Sequence, residues 1–99
     1  MQIKKSVENG VVVLKVIGQL TSPTSPSLEA VINTVLETEN RLILDFAELE
    51  FLASSGIRVI LSTQKKINGL HGSLVLRNVN DVVMEVFEMT GLREFINIQ

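Results

Sequence analysis

The stretch FLASSGIRVILS, Phe51 to Ser62, places two adjacent hydroxyls, Ser54 and Ser55, directly before Gly56 and Arg58. A serine nucleophile needs an activating base and an orienting acid, and its usual elbow is Gly-x-Ser-x-Gly. ASSGI lacks that spacing, so hydrolase chemistry is not expected. Two other uses of the hydroxyls stay open. Either serine could cap the following helix by accepting an orphan N–H, a contribution of about 1 kcal/mol, with Gly56 letting the backbone pass close by. A cap needs only one hydroxyl, however, and the positive end of a helix also favours a phosphate, which Arg58, one turn along, could pair with.

The remaining reactive side chains are scattered. His71 is the only histidine; it sits in a Gly-flanked turn with no cysteine or HExxH-type neighbour, so it reads as a surface residue and no metal site is expected. Asp45 and Glu48 fall near the end of an apolar run, RLILDF, where ligands of open α/β sheets gather, but they read as solvated carboxylates in a turn. Gly18, Gly56 and Gly69 stand too far apart for a phosphate cradle, and the chain has no cysteine for thiolate chemistry. The reading is a non-enzyme without cofactors.

The elements that position these residues follow from local pattern. Asn9-Gly10 between IKKSVE and VVVLKVI marks a hairpin. Lys4 and Lys5 make the first strand an edge, and Val11 to Ile17, apolar except at Lys15, suits a central strand covered on both faces. Ser25 is the expected N-cap of a helix with Pro26 at its first position; Leu28, Val31, Ile32, Val35 and Leu36 form its apolar face, and Asn40 is placed to close it. RLILDF and SLVLR read as buried strands. Between them runs a helix with Ile57, Ile60, Leu61 and Ile67 inward and Arg58, Ser62, Lys65 and Lys66 outward, stopping near NGLHG. Asn80 can cap a last helix that turns Val83, Val86 and Phe87 inward and ends at Gly91. Alternating strands and helices imply right-handed crossovers.

With 99 residues, 45% hydrophobic and 20% charged, the chain is expected to form one domain spanning 1–99 with an ordered core. Nine basic against eleven acidic side chains, and four Phe without Tyr or Trp, provide neither the basic stripe nor the stacking platforms of nucleic-acid binding. The start, MQIKKSVENG, lacks a signal-peptide core, and runs such as VVVL are far shorter than a membrane span, so the protein reads as soluble and cytoplasmic.

LILDFAELEFLASSGIRVILSTQKKI resembles the signature of the STAS domain of anti-sigma factor antagonists: a strand ending in Asp, a short loop, Asp-Ser-Ser/Thr-Gly-Leu, then a helix. VVVLKVIGQLT is similar to the family's second strand and Gly-x-Leu/Ile-Asp turn, and VFEMTGLREFINI to its closing helix and Gly-Leu motif. The resemblance implies an α/β STAS-type fold. Its mainly parallel sheet of four to five strands has an antiparallel N-terminal edge and is packed by three to four helices. It also implies a partner-switching module that binds an anti-sigma factor and is released when that kinase phosphorylates the first serine of the motif, here Ser54, with Ser55 as the alternative. The implied partner surface comprises Thr21, Ser22, Ala53, Ser54, Ser55, Gly56 and Arg58. Ala53 and Thr21 replace the family's two Asp residues. The family pattern continues into a C-terminal helix, so apolar surface is expected to be left for a partner, and a homo-oligomer is a further option. The same fold serves as an accessory subunit of ABC-type lipid transporters and in stressosome-like complexes, without need of a phosphate switch; this is the alternative reading.

Overall fold

The computed structural model describes residues 1–99. Strands β1 (Gln2–Glu8) and β2 (Val11–Leu20) form an antiparallel hairpin. Asn9 and Gly10 both take positive φ, 51° and 80°, as the primed turn of a tight hairpin requires. The first half of β2 pairs in parallel with β3 (Arg41–Asp45) and its second half with β4 (Leu49–Leu52), the register shifting between Gly18 and Gln19. Beyond β3 come β5 (Ser73–Arg77) and the two-residue β6 (Asn97–Ile98), giving the order β1-β2-β3-β5-β6 with β4 beside β2. The antiparallel edge and parallel body match expectation. Six strands replace four or five because β4 and β6 are too short to leave a pattern in the sequence.

Helices α1 (Ser25–Leu36), α2 (Ser54–Gly69) and α3 (Asp81–Thr90), with a 3-10 turn at Leu92–Glu94, complete the chain. Alternate residues of the central strands, Val12, Leu14, Val16, Leu42, Leu44, Leu74 and Leu76, join Leu28, Ile32, Val35, Val59, Ile60, Ile67, Val83 and Phe87 from the three helices in a single core. The helices therefore share one face of the sheet. Val13, Ile43 and Val75 point the other way and lie outside that core; Val13 is nevertheless buried and Val11, Lys15 and Ile17 on the same face are half-buried, so the second face of β2 is covered in part, without a helix over it. The helix-free face carries the ion pairs Lys15–Glu48 (2.6 Å), Arg77–Glu8 (2.7 Å) and Arg77–Asp45 (3.2 Å) instead.

Several local expectations also change. Ser25 does not cap α1: it is the first helical residue, Pro26 is the second, and the Ser25 hydroxyl donates back to the Thr21 carbonyl at 2.7 Å. Asn40 lies beyond the helix end and donates its side-chain amide to the Leu70 carbonyl, so it does not close α1. Leu61 is 42% exposed; the inward row of α2 is Gly56, Val59, Ile60, Thr63 and Ile67. In α3 the pattern holds: the Asn80 side-chain oxygen Oδ1 accepts the Val83 N–H at 2.9 Å, Val83 and Phe87 are buried, and Gly91 ends the helix. His71 is exposed. No helix is long and apolar enough to cross a membrane.

Candidate functional site

β2 ends at Leu20 and β4 at Leu52, side by side in the sheet, and the Ala53 N–H donates to the Leu20 carbonyl at 2.9 Å. That bond ties together the points where the chain leaves two neighbouring strands, so α1 and α2 begin next to each other. The Thr21 carbonyl accepts the N–H groups of Thr24 (3.1 Å) and Ser25 (2.8 Å), and the Thr21 N–H donates to Thr24 Oγ1 at 2.8 Å, which fixes the TSPTS turn. Between the helix starts lies a groove of about 230 Å³, lined by Ser22, Ser25, Pro26 and Glu29 on one side and Ser55, Arg58 and Val59 on the other.

Gly56 sets how closely α2 approaches the sheet. A β-carbon there would stand 2.5 Å from Leu52 Cδ1 and 2.8 Å from Leu20 Cγ, both in buried side chains. The motif glycine is thus required by packing.

The structure separates the two serines. The Ser25 hydroxyl is directed at both the Thr21 carbonyl (2.7 Å) and Ser55 Oγ (3.3 Å), so Ser55 accepts from a neighbour on α1. Ser55 is half-buried; Ser54 is exposed, and its hydroxyl has no partner within the chain. Neither serine is the N-cap, which corrects the capping expectation. That position belongs to Ala53, whose extended backbone (φ −95°, ψ 173°) suits a cap and whose methyl group cannot provide one. An Asp at this position would be a capping residue, and the amides of Ser54 and Ser55 are here left without an intrahelical acceptor. Arg58 is exposed, and none of the chain's four ion pairs involves it.

Six of the seven residues expected at the partner surface gather exposed or half-buried at one end of the molecule, although only Ser22, Ser55 and Arg58 line the groove itself; Gly56 is buried against Leu52 and Leu20, which corrects its place on that surface. Ser25, Pro26, Glu29 and Val59 line it outside the expected set; the Ser-Pro start of α1 was the available signal, masked by its reading as a cap. Asp45 and Glu48 belong elsewhere, on the helix-free face. Asp45 is 7% exposed, not solvated as expected. Burial alone pushes its carboxyl up, but the Ala47 N–H (3.0 Å), the Asn78 amide (3.2 Å) and the Arg77 guanidinium (3.2 Å) together hold it below the usual carboxylate range. No group of three His, Cys, Asp or Glu side chains is placed to hold a metal ion.

Residues 2–99 match the family model of the STAS domain. The chain belongs to the STAS domain family. BtrV of Bordetella bronchiseptica, a candidate anti-sigma factor antagonist, is 30% identical to this STAS domain over 92 residues, which is 92% of this chain and 79% of BtrV. The anti-sigma F factor antagonist of Paenibacillus polymyxa is 28% identical over 100 residues, covering 99% and 86% of the two chains. Bacillus SpoIIAA in its phosphorylated form shares the fold, with a TM-score of 0.77 at 23% identity over 99% of this chain and 91% of that one.

Proposed function

We propose that this STAS domain is an anti-sigma factor antagonist: unphosphorylated, it binds an anti-sigma factor kinase over the joined starts of α1 and α2, and phosphorylation of Ser54 releases it. The observation that carries the reading is the asymmetry of the serine pair. Ser54 offers a free, exposed hydroxyl on the first residue of α2, while Ser55 is held by Ser25 beneath it. Relatives named as anti-sigma factor antagonists support the antagonist reading, and the likeness in fold to SpoIIAA, solved in a phosphorylated form, supports a phosphate switch without bearing on which serine carries it. The protein acts by contact alone, and a kinase that controls a sigma factor places it in the cytoplasm.

A phosphoserine adds about −1.5 to −2 charges, and at a helix N-terminus such charge stabilises the fold locally by roughly 0.3 to 1 kcal/mol. Release therefore acts at the interface and not through unfolding. Incubation with the anti-sigma factor kinase and ATP, followed by peptide mass spectrometry, should place the phosphate on Ser54 and leave Ser54→Ala unmodified. Phosphate confined to Ser55 overturns the assignment, and a Ser54→Asp variant that binds as tightly as wild type favours the constitutive accessory module.

A further inference from the structure

Strand β1 is the one long edge of the sheet left open. It pairs only with β2; elsewhere β6 is two residues long, and in β4 the Leu49 carbonyl accepts the Asn80 side-chain amide at 2.6 Å. Every residue of β1 except the half-buried Ile3 is exposed, and Val7, at 64%, is the most exposed large apolar side chain of any strand. The two-residue turn at Asn9-Gly10 makes Glu8 and Val11 a hydrogen-bonded pair, so Gln2, Lys4, Ser6 and Glu8 turn their backbone groups to β2. The N–H and C=O groups of Ile3, Lys5 and Val7 are left facing outward. Such a row is a template for another strand, and lysines along it are the usual guard. Lys4 and Lys5 take part in none of the chain's four ion pairs, whereas Glu8 is fixed by both terminal nitrogens of Arg77, at 3.1 and 2.7 Å.

Those charges do not bar every pairing. A second copy of β1, running antiparallel about a two-fold axis, meets the first with opposed residues on the same face of the joined sheet. Three registers keep five or more residues of β1 paired, centred on Lys4, Lys5 or Ser6. The first opposes Lys4 to its own counterpart and the second does the same to Lys5, like charges that disfavour pairing. The third sets Ser6 against Ser6, Lys5 against Val7 and Lys4 against Glu8, the last two contacts occurring twice by symmetry. It also brings the outward N–H and C=O groups of Lys5 and Val7 opposite each other, as a hydrogen-bonded ladder requires. We infer that β1 is a self-association edge: two copies of this chain join through β1 in the Ser6-centred register, with Lys4 of each on Glu8 of the other. The lysines that reject the other registers select this one. Glu8, held by Arg77, then links a row of alternating charge that runs from Lys4 of the second copy through Glu8 and Arg77 to Asp45. No residue of the candidate site lies on β1, so the joined starts of α1 and α2 stay free and the inference is independent of the antagonist reading.

One strand pair covers less than a standard interface, so the dimer is transient, with a dissociation constant on the order of 0.1 mM. Sedimentation velocity of the full chain at low salt, up to about 1 mM, should show a concentration-dependent dimer that added salt weakens. Lys4→Glu and Glu8→Lys each turn both ion pairs into like-charge pairs and should weaken the dimer about tenfold or more. Mixed together, these two variants have opposite charges at both contacts and should recover a heterodimer that neither forms alone. Val7→Pro removes a donor that faces the open edge and not β2, so circular dichroism should stay native while the dimer is lost. A wild-type chain that remains monomeric at about 1 mM leaves the edge to a foreign strand or to none and overturns the inference. So does a dimer indifferent to Lys4→Glu, or a mixture that fails to recover what each variant has lost. A dimer that Met89→Glu disrupts instead belongs to the outward row of α3, where Val82 and Met89 are 62% and 80% exposed, and refutes the β1 edge as well.

Discussion

Replacing Ala53 by Asp should stabilise the domain even though no residue of the core changes. Ala53 already has the backbone of an N-cap, with its carbonyl accepting the N–H groups of Gly56 (3.0 Å) and Ile57 (3.2 Å), but it leaves the Ser55 amide without an acceptor. A carboxylate there would accept that N–H, worth about 1 kcal/mol, and interact with the helix dipole for roughly 0.3 to 1 kcal/mol more. A gain of about 1 to 2 kcal/mol corresponds to a rise in Tm of roughly 5 to 10 °C for a domain of this size. Thermal melts by circular dichroism at pH 7 and pH 3, run alongside Ala53→Asn, separate the two contributions. The Asp cap lowers its own folded-state pKa, so its dipole contribution is full at pH 7 and is lost as pH falls through that value, whereas the Asn gain is independent of pH. Unchanged or lower Tm for both variants at pH 7 would refute the uncapped start of α2, and with it the geometry from which Ser54 is read.

Gly56→Ala places a methyl group against Leu52 and Leu20; an overpacking cost of about 1 to 3 kcal/mol exceeds the roughly 1 kcal/mol that Ala returns in helix propensity. Urea unfolding should show a net loss of about 1 kcal/mol, and a gain in stability would contradict the close approach. Asp45→Asn should cost about 1 to 2 kcal/mol at pH 7 by weakening the charge-assisted bonds to Arg77, Asn78 and Ala47. Because the Asp45 carboxyl is held below its ordinary range, the wild-type advantage is present above about pH 4 and disappears as pH falls through its folded-state value. Denaturation at pH 7 and pH 2.5 checks the sign: a difference that persists at the lower pH would assign the loss to shape and not to charge.

The hairpin and α3 were legible because their signals are local. Asn9-Gly10 specifies its turn, and Asn80 and Gly91 bracket a helix whose inward residues repeat at the right spacing. β4 escaped because LEFL has buried residues at its two ends instead of alternate positions, and it exists by pairing with the second half of β2 past a shift in register. Leu61 was misplaced because apolar type and turn spacing together do not distinguish a core position from an exposed one at the edge of the inward row. The serine cap was misread for a tertiary reason: α2 starts where the Ala53–Leu20 bond releases the chain from the sheet, and no sequence pattern encodes that point. Asp45 depends on Arg77 and Asn78, more than thirty residues away, and only the sheet brings them together. The resemblance located the site at the right end of the molecule; the distinction between a free Ser54 and an engaged Ser55 needed the hydroxyl of Ser25.

Ser54 as the switch is open to a single comparison: the affinity for the anti-sigma factor of the chain carrying phosphoserine at position 54 against the unmodified chain, with Tm recorded for both. Phosphate should weaken binding about 100-fold or more while Tm stays within a few degrees, because the added charge lies at the interface and favours the helix it starts. Equal affinities, or a loss of binding accompanied by unfolding, would contradict the switch proposed for this domain.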